Sequence, residues 1–117
     1  MHYISPFKTT DTFSSDFSLF KKGVIIFGTG NLGALCLHAL KQKDIEPICF
    51  VDNNYSNWDK NFNGYKIISP EKLKKDYSNS LVIISSLNFK YLIRQLKSLG
   101  IKNVHYCDSV FSNFNLE

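Results

Sequence analysis

Gly28, Gly30 and Gly33 stand at the spacing G-x-G-x-x-G in "VIIFGTGNLGALCLHAL", residues 24–40, between an apolar run and an amphipathic one. Each glycine has its own reason to be there. Gly28 permits a sharp exit from a strand, Gly30 lacks a Cβ and so admits a pyrophosphate to the backbone, and Gly33 lets the next helix pack closely on a sheet. That helix would aim its unpaired N–H groups and positive end at phosphate oxygens. Asp52 closes the next apolar run, 19 residues beyond Gly33, where its carboxylate can accept hydrogen bonds from ribose hydroxyls and repel a 2′-phosphate. Ser85 and Ser86 follow a further apolar run, at the kind of strand end where open α/β sheets bind ligands. A plainer reading stands beside this one. The glycines can serve a close strand–helix turn alone, and Ser85, Ser86 and Asn88 can be turn and capping residues.

The elements that must hold these residues alternate along the chain. "VIIF" (24–27) is the continuous β-rich run of a parallel strand covered on both faces. After the glycines, Leu32, Leu35, Cys36, Ala39 and Leu40 fall on one predicted helical stripe. "PICFVD" (47–52) is a second strand, and "NNYSNWDKNFNG" (53–64) reads as an Asn-rich loop whose Tyr55 and Trp58 either stack on a base or anchor the loop locally. A short strand at "YKII" precedes a helix at "SPEKLKKDY", with Ser69 as N-cap and Pro70 at its first position. "LVIIS" (81–85) is another buried strand. Asn88 then caps a helix with Phe89, Leu92, Ile93, Leu96 and Leu99 on one face, Gly100 ends it, and "NVHYC" (103–107) is the last strand. The expected fold class is α/β, a single Rossmann-like doubly wound parallel sheet of about five strands in the order 3-2-1-4-5. Residues 1–20 form an N-terminal extension with a short helix expected around "SSDFSLFKK", and 21–117 form the domain.

Composition narrows the classes of function. The chain has 117 residues, 44% of them hydrophobic and 15% aromatic, which suits one globular domain. Its net charge of +4 has one dense cluster, Lys72, Lys74 and Lys75, which reads as a solvated helix face rather than a nucleic-acid footprint. Cys36, Cys49 and Cys107 form no C-x-x-C pair and are expected to pack as small apolar residues in a reducing, cytoplasmic compartment. His38 and His105 have no nucleophile or metal ligand at useful spacing, and no apolar run approaches the roughly 20 residues of a membrane span. The terminal Leu116–Glu117 pair is consistent with a cloning scar on a domain cut from a longer protein. Two other glycine motifs fail. A P-loop would carry Lys-Ser or Lys-Thr where Thr29 and Gly30 follow Gly28, and an S-adenosylmethionine loop would put an acid at Ile26 and a third glycine at Leu32.

Taken together, "VIIFGTGNLG", "ICFVDNN", "NGYKIISPEKL" and "LVIISS…LKSLGIKNV" resemble the Rossmann-like domain of bacterial polysaccharide-biosynthesis proteins. That domain occurs in nucleotide-sugar epimerase/dehydratases, FkbM-type methyltransferases and sugar-nucleotide acetyltransferases, and the resemblance covers about residues 21–108. It implies that the glycine loop and the acidic strand end hold NAD(P) or a UDP-sugar. By position these residues are Gly28, Thr29, Gly30, Asn31, Leu32, Gly33, Asp52 and Asn53. The chain departs from the acetyltransferases in having Asn31 and Leu32 where they place Gly-His, and in lacking hexapeptide repeats. It departs from the epimerase/dehydratases in that none of its six tyrosines has Lys four residues on. The expectation is therefore a binding or regulatory module for a small-molecule nucleotide, with no catalytic residue or metal of its own. Its expected partner is a catalytic domain or subunit of the same pathway. The alternatives are a fragment of an NAD-dependent nucleotide-sugar epimerase/dehydratase and a degenerate scaffold for homo-oligomerisation.

Overall fold

Four consecutive residues, Val24–Phe27, are buried, with Val24 and Ile26 in one apolar cluster and Ile25 and Phe27 in another. A strand that is apolar on both faces needs cover above and below, and this requirement sets the architecture. The computed structural model describes residues 2–4 and 23–107. In chain order the strands are β1 (His2–Ile4), β2 (Val24–Phe27), β3 (Cys49–Val51), β4 (Asn61–Phe62), β5 (Tyr65–Ile68), β6 (Leu81–Ile84) and β7 (Asn103–Tyr106). The helices are α1 (Asn31–Gln42), α2 (Pro70–Tyr77) and α3 (Phe89–Ser98), with a 3₁₀ turn at Tyr55–Asn57. The strands form one sheet in the order β1-β7-β6-β2-β3-β5-β4, parallel except for the β4–β5 pair.

The five strands expected from sequence occupy the centre in the expected order, and two short strands are added at the edges. β4 lies inside the stretch that reads as loop. It turns into β5 through Asn63 and Gly64, both at positive φ (52° and 90°), the two-residue hairpin that Asn-Gly favours. Phe62 on β4 meets Phe50 edge-on at 4.9 Å between ring centroids, so this hairpin covers the outer part of the core. β1 pairs with β7 in register from His2 opposite Asn103 to Ile4 opposite His105. The helix expected around residues 14–22 lies outside the described residues.

The face of α1 that packs on the sheet keeps Cys36, Ala39 and Leu40 of the expected stripe and departs from it at Leu35. Gly33, Cys36, Leu37, Ala39 and Leu40 are buried, while Leu32 is half-buried and Leu35 is 53% exposed. The helix is turned so that Gly33 lies against the Gly28 carbonyl, and that contact overrides hydrophobicity at Leu35. On the opposite face, α2 contributes Leu73 and α3 contributes Leu92 and Leu96 to the second cluster. The Ser69 hydroxyl accepts the Lys72 N–H at 3.1 Å, with Pro70 as the first helical residue, a cap of the kind that contributes about 1 kcal/mol. α3 ends in a Schellman arrangement. The Ile101 and Gly100 N–H groups return to the Leu96 and Lys97 carbonyls at 3.0 Å each, with Gly100 at φ +80°. Of the expected basic cluster, Lys72 pairs with Asp76 at 2.9 Å on the exposed face of α2. The three cysteines are buried. Among the described residues no helix is long and apolar enough to cross a membrane, and no group of three potential metal ligands occurs.

Candidate functional site

The C-terminal ends of β2, β3 and β6 lie side by side, so the loops that leave them share one cleft. Its volume is about 480 Å³, and it is walled by the glycine loop from Gly28 to Leu32, by Asp52 and Asn53, and by Ser85, Ser86, Leu87 and Asn88. Nine of the ten site residues expected from sequence therefore meet around one space. The tenth, Gly33, lies behind it. A Cβ at Gly33 would stand 2.3 Å from the Gly28 oxygen, which accounts for a glycine there through helix–sheet contact alone.

The loop is held from three sides. Gly28 has φ +126°, and a Cβ there would stand 2.6 Å from Ser85 Oγ and 2.7 Å from the Ser85 carbonyl oxygen. Its N–H continues the ladder to the Val51 carbonyl at 2.8 Å. Ser85, 4% exposed, donates its hydroxyl to the Phe27 carbonyl at 3.0 Å, with the Gly28 carbonyl at 3.3 Å. This serine thus braces the glycine loop from the neighbouring strand. Thr29 donates its hydroxyl to Asp52 Oδ2, and Asp52 Oδ1 accepts the Asn54 N–H at 2.9 Å. Both carboxylate oxygens are used once, each with a lone pair left to accept a further donor.

Gly30 is placed differently from its two neighbours. It has an ordinary extended backbone, φ −98° and ψ −157°, and a Cβ on it would meet nothing within 4 Å. Packing gives no reason for a glycine here, whereas close approach of a ligand to the backbone does. As N-cap of α1, Gly30 brings no side-chain cap, and the first turn of that 12-residue helix contains no acid. Its first N–H groups and positive end thus face the cleft without a competing carboxylate on the same turn. These features fit a phosphate group.

Beyond Asp52 the chain folds over itself. The Trp58 indole N–H donates to the Asp52 carbonyl at 2.7 Å, and its ring packs on the core, so Trp58 is a local anchor. Tyr55, 77% exposed, lies edge-on to Trp58 at 6.3 Å between centroids and does not line the cleft. Asn53 exchanges two hydrogen bonds with Gln95 of α3, at 2.9 and 2.8 Å. The expected capping by Asn88 is corrected by the structure. Asn88 occupies the N-cap position of α3, but its side chain caps nothing, and its N–H donates instead to Ser86 Oγ at 3.1 Å. Sequence reasoning also passed over Phe27, Leu87 and Leu92, which give the cleft an apolar side. Leu92 carries the signal of a core residue, and only its position one turn from the helix start brings it to the opening. Neither His38 nor His105 lines the cleft. His38 pairs with Gln42 on the surface, and His105 is buried within β7.

Comparison with known proteins agrees with this fold. A family model described as C2185-like, N-terminal, matches residues 20–106. Among solved structures, the chain is similar to UDP-D-quinovosamine 4-dehydrogenase from Vibrio fischeri, with 27% identity and a TM-score of 0.57 over 70% of this chain and 74% of that one. It is also similar to RSP, crystallised in complex with β-NAD+ and operator DNA, with 19% identity and a TM-score of 0.55 over 81% of this chain and 50% of that one. The second likeness concerns the fold alone. No curated protein matches the sequence. The sheet is Rossmann-like, as are these neighbours.

Proposed function

We propose that this chain, which belongs to the C2185-like N-terminal family, is a nucleotide-binding module that holds NAD(P) or a UDP-sugar in the cleft above β2, for a protein of polysaccharide biosynthesis. The observation that carries the reading is Gly30, a glycine at the mouth of an uncapped helix with open space where a side chain would go. In this reading Gly28 and Ser85 hold the loop's shape, the backbone from Thr29 to Leu32 receives the phosphates, and Asp52, fixed by Thr29, takes ribose hydroxyls. Leu87 and Leu92 offer an apolar surface to a base, and Ser86 and Asn88 carry polar groups to the same rim. The binding unit spans residues 21–117, with 1–20 as an extension.

Bound NAD would supply a hydride acceptor. The chain's own residues can bind and orient it, but among the described residues that line the cleft Asp52 alone is ionisable, and it is already engaged by Thr29 and Asn54. Proton transfer to a sugar needs a positioned acid or base near the reacting carbon. The site therefore favours a binding or regulatory module, with its catalytic groups on another domain or subunit. A second reading, part of an NAD-dependent nucleotide-sugar epimerase/dehydratase, draws support from the likeness to the quinovosamine dehydrogenase. Calorimetry with NAD, NADP and UDP-sugars tests the first reading. One of these should bind, and Gly30→Val should abolish binding at unchanged secondary structure. Equal affinity in the variant would remove the site. Incubating the chain with NAD and UDP- or GDP-sugars separates the two readings. No NADH absorbance and no altered sugar are expected, and turnover that Gly30→Val abolishes would favour the enzyme.

A further inference from the structure

The reciprocal amide pair between Asn53 and Gln95 joins the loop after β3 to α3. Asn53 is exposed and Gln95 half-buried, and both hydrogen bonds can be exchanged with water, so the pair contributes little net stability. Its position is more informative. Asn53 lines the cleft directly after Asp52, whereas Gln95 does not wall it but stands on α3 one turn beyond Leu92, beside the rim and joined to it through Asn53. A ribose held by Asp52 through its 2′- and 3′-hydroxyls carries its base on the adjacent C1′. The base must then lie within a few bonds of Asp52, between the Asn53 backbone and the apolar side made by Leu87 and Leu92. Leu87 is 83% exposed, an apolar side chain on the rim with its face open.

An amide presents one donor beside one acceptor, and the Asn53–Gln95 pair shows two such edges satisfying each other. Adenine and uracil carry the same kind of edge, a donor next to an acceptor, and amide side chains read adenine in this way in nucleic-acid complexes. We propose that Asn53 at the end of the cleft, with Gln95 just beyond it, selects the base. With no nucleotide bound the two amides pair with each other, and a base with an adjacent donor and acceptor takes the place of one amide against the other. Because two hydrogen bonds are given up and two are made, the exchange discriminates among bases without resisting entry. Bases whose donor is missing or blocked leave one amide group unmatched.

This inference rests on the nucleotide reading, and the test keeps the two apart. Calorimetry compares ADP with purine riboside 5′-diphosphate, which lacks the 6-amino donor, and UDP with N3-methyl-UDP, whose donor is blocked. In the wild type the preferred natural nucleotide should bind about tenfold tighter than its modified partner, within the range of one well-made bidentate contact. The adenine and uracil arms identify which base is selected. In the Asn53→Leu/Gln95→Met double variant the ratio should fall to about one while sensitivity to Gly30→Val persists. Binding that depends on Gly30 but is indifferent to the base edge in the wild type would overturn the inference and leave the nucleotide site standing. Discrimination that survives in the double variant would overturn it too. If neither nucleotide binds, the nucleotide reading fails and this inference fails with it.

Discussion

Alanine at Gly33 and alanine at Gly30 should have opposite consequences, although both glycines belong to one motif. At Gly33 the added Cβ would lie 2.3 Å from the Gly28 oxygen, 3.1 Å from the Gly28 carbonyl carbon and 3.4 Å from Ser85 Oγ. The first two obstacles are backbone and cannot rotate away, so α1 must lift from the sheet and loosen Cys36, Leu37 and Leu40, which pack there. Overfilling a packed contact typically costs about 1–3 kcal/mol. Replacing glycine within a helix returns at most about 1 kcal/mol in propensity. With a backbone obstacle the cost lies at the upper end, giving a net loss of about 2 kcal/mol. For a domain of this size that is a fall of about 10 °C in Tm. At Gly30 the new methyl meets nothing within 4 Å and φ is −98°, so the cost is only that of a weaker N-cap, about 1 kcal/mol or less. Urea unfolding followed by Trp58 fluorescence measures both, since the chain has a single tryptophan. A Gly33→Ala protein as stable as wild type, or a Gly30→Ala protein as damaged as Gly33→Ala, would refute the division of labour drawn here.

Asp52 should make the site prefer NAD to NADP by about tenfold or more, because a 2′-phosphate removes a ribose donor and adds charge beside the carboxylate. Asp52→Asn should narrow that ratio in calorimetry, and an NADP preference in the wild type would contradict the assignment. Burial pushes the Cys49 thiol up from about 9 to about 11, with Lys72 opposing weakly. The folded state therefore keeps a proton that the unfolded state loses between these values, so stability falls as pH rises from about 9 through about 11. Urea midpoints for wild type and Cys49→Ala across that window should show a shallower alkaline decline in the variant, and parallel declines would argue against the buried thiol. Ser85→Ala should cost about 1–2 kcal/mol by leaving the Phe27 carbonyl short of its hydroxyl donor, and should weaken nucleotide binding through the loop it braces. Loss of neither stability nor affinity would show that the brace is dispensable.

The central sheet was legible because its signals are strong and local. "VIIF" and "LVII" are apolar at every position, which only a strand covered on both faces tolerates, and both are fully buried. Ser69-Pro70 and Gly100 mark helix ends through their own backbone chemistry, so their positions carry into the structure unchanged. The face of α1 was legible in part. Gly33 marked the close approach to the sheet and Cys36, Ala39 and Leu40 its buried side, but hydrophobicity could not separate Leu35 from Leu37, a choice that the Gly33–Gly28 contact fixes in space. β4 is two residues long, too short for alternation to register, and Asn63-Gly64, which favours such a hairpin, was read as part of a loop. Within the site, the glycines and Asp52 follow from spacing. The links from Thr29 to Asp52 and from Asn53 to Gln95 span 23 and 42 residues, and no pattern in one sequence pairs polar side chains at such distances.

A nucleotide titration followed by backbone amide NMR tests the central claim most directly. The chain labelled with ¹⁵N is titrated with NAD or with a UDP-sugar, whichever binds in calorimetry, and each amide is followed to saturation. The largest changes should fall on Gly28 to Leu32, with further changes at Asp52, Asn53 and Ser86 to Asn88, the residues that border the cleft. The α2 amides around Lys74 and Lys75, on the exposed surface, should stay in place. Saturable binding whose shifts gather on that lysine face, with the glycine loop unmoved, would contradict it.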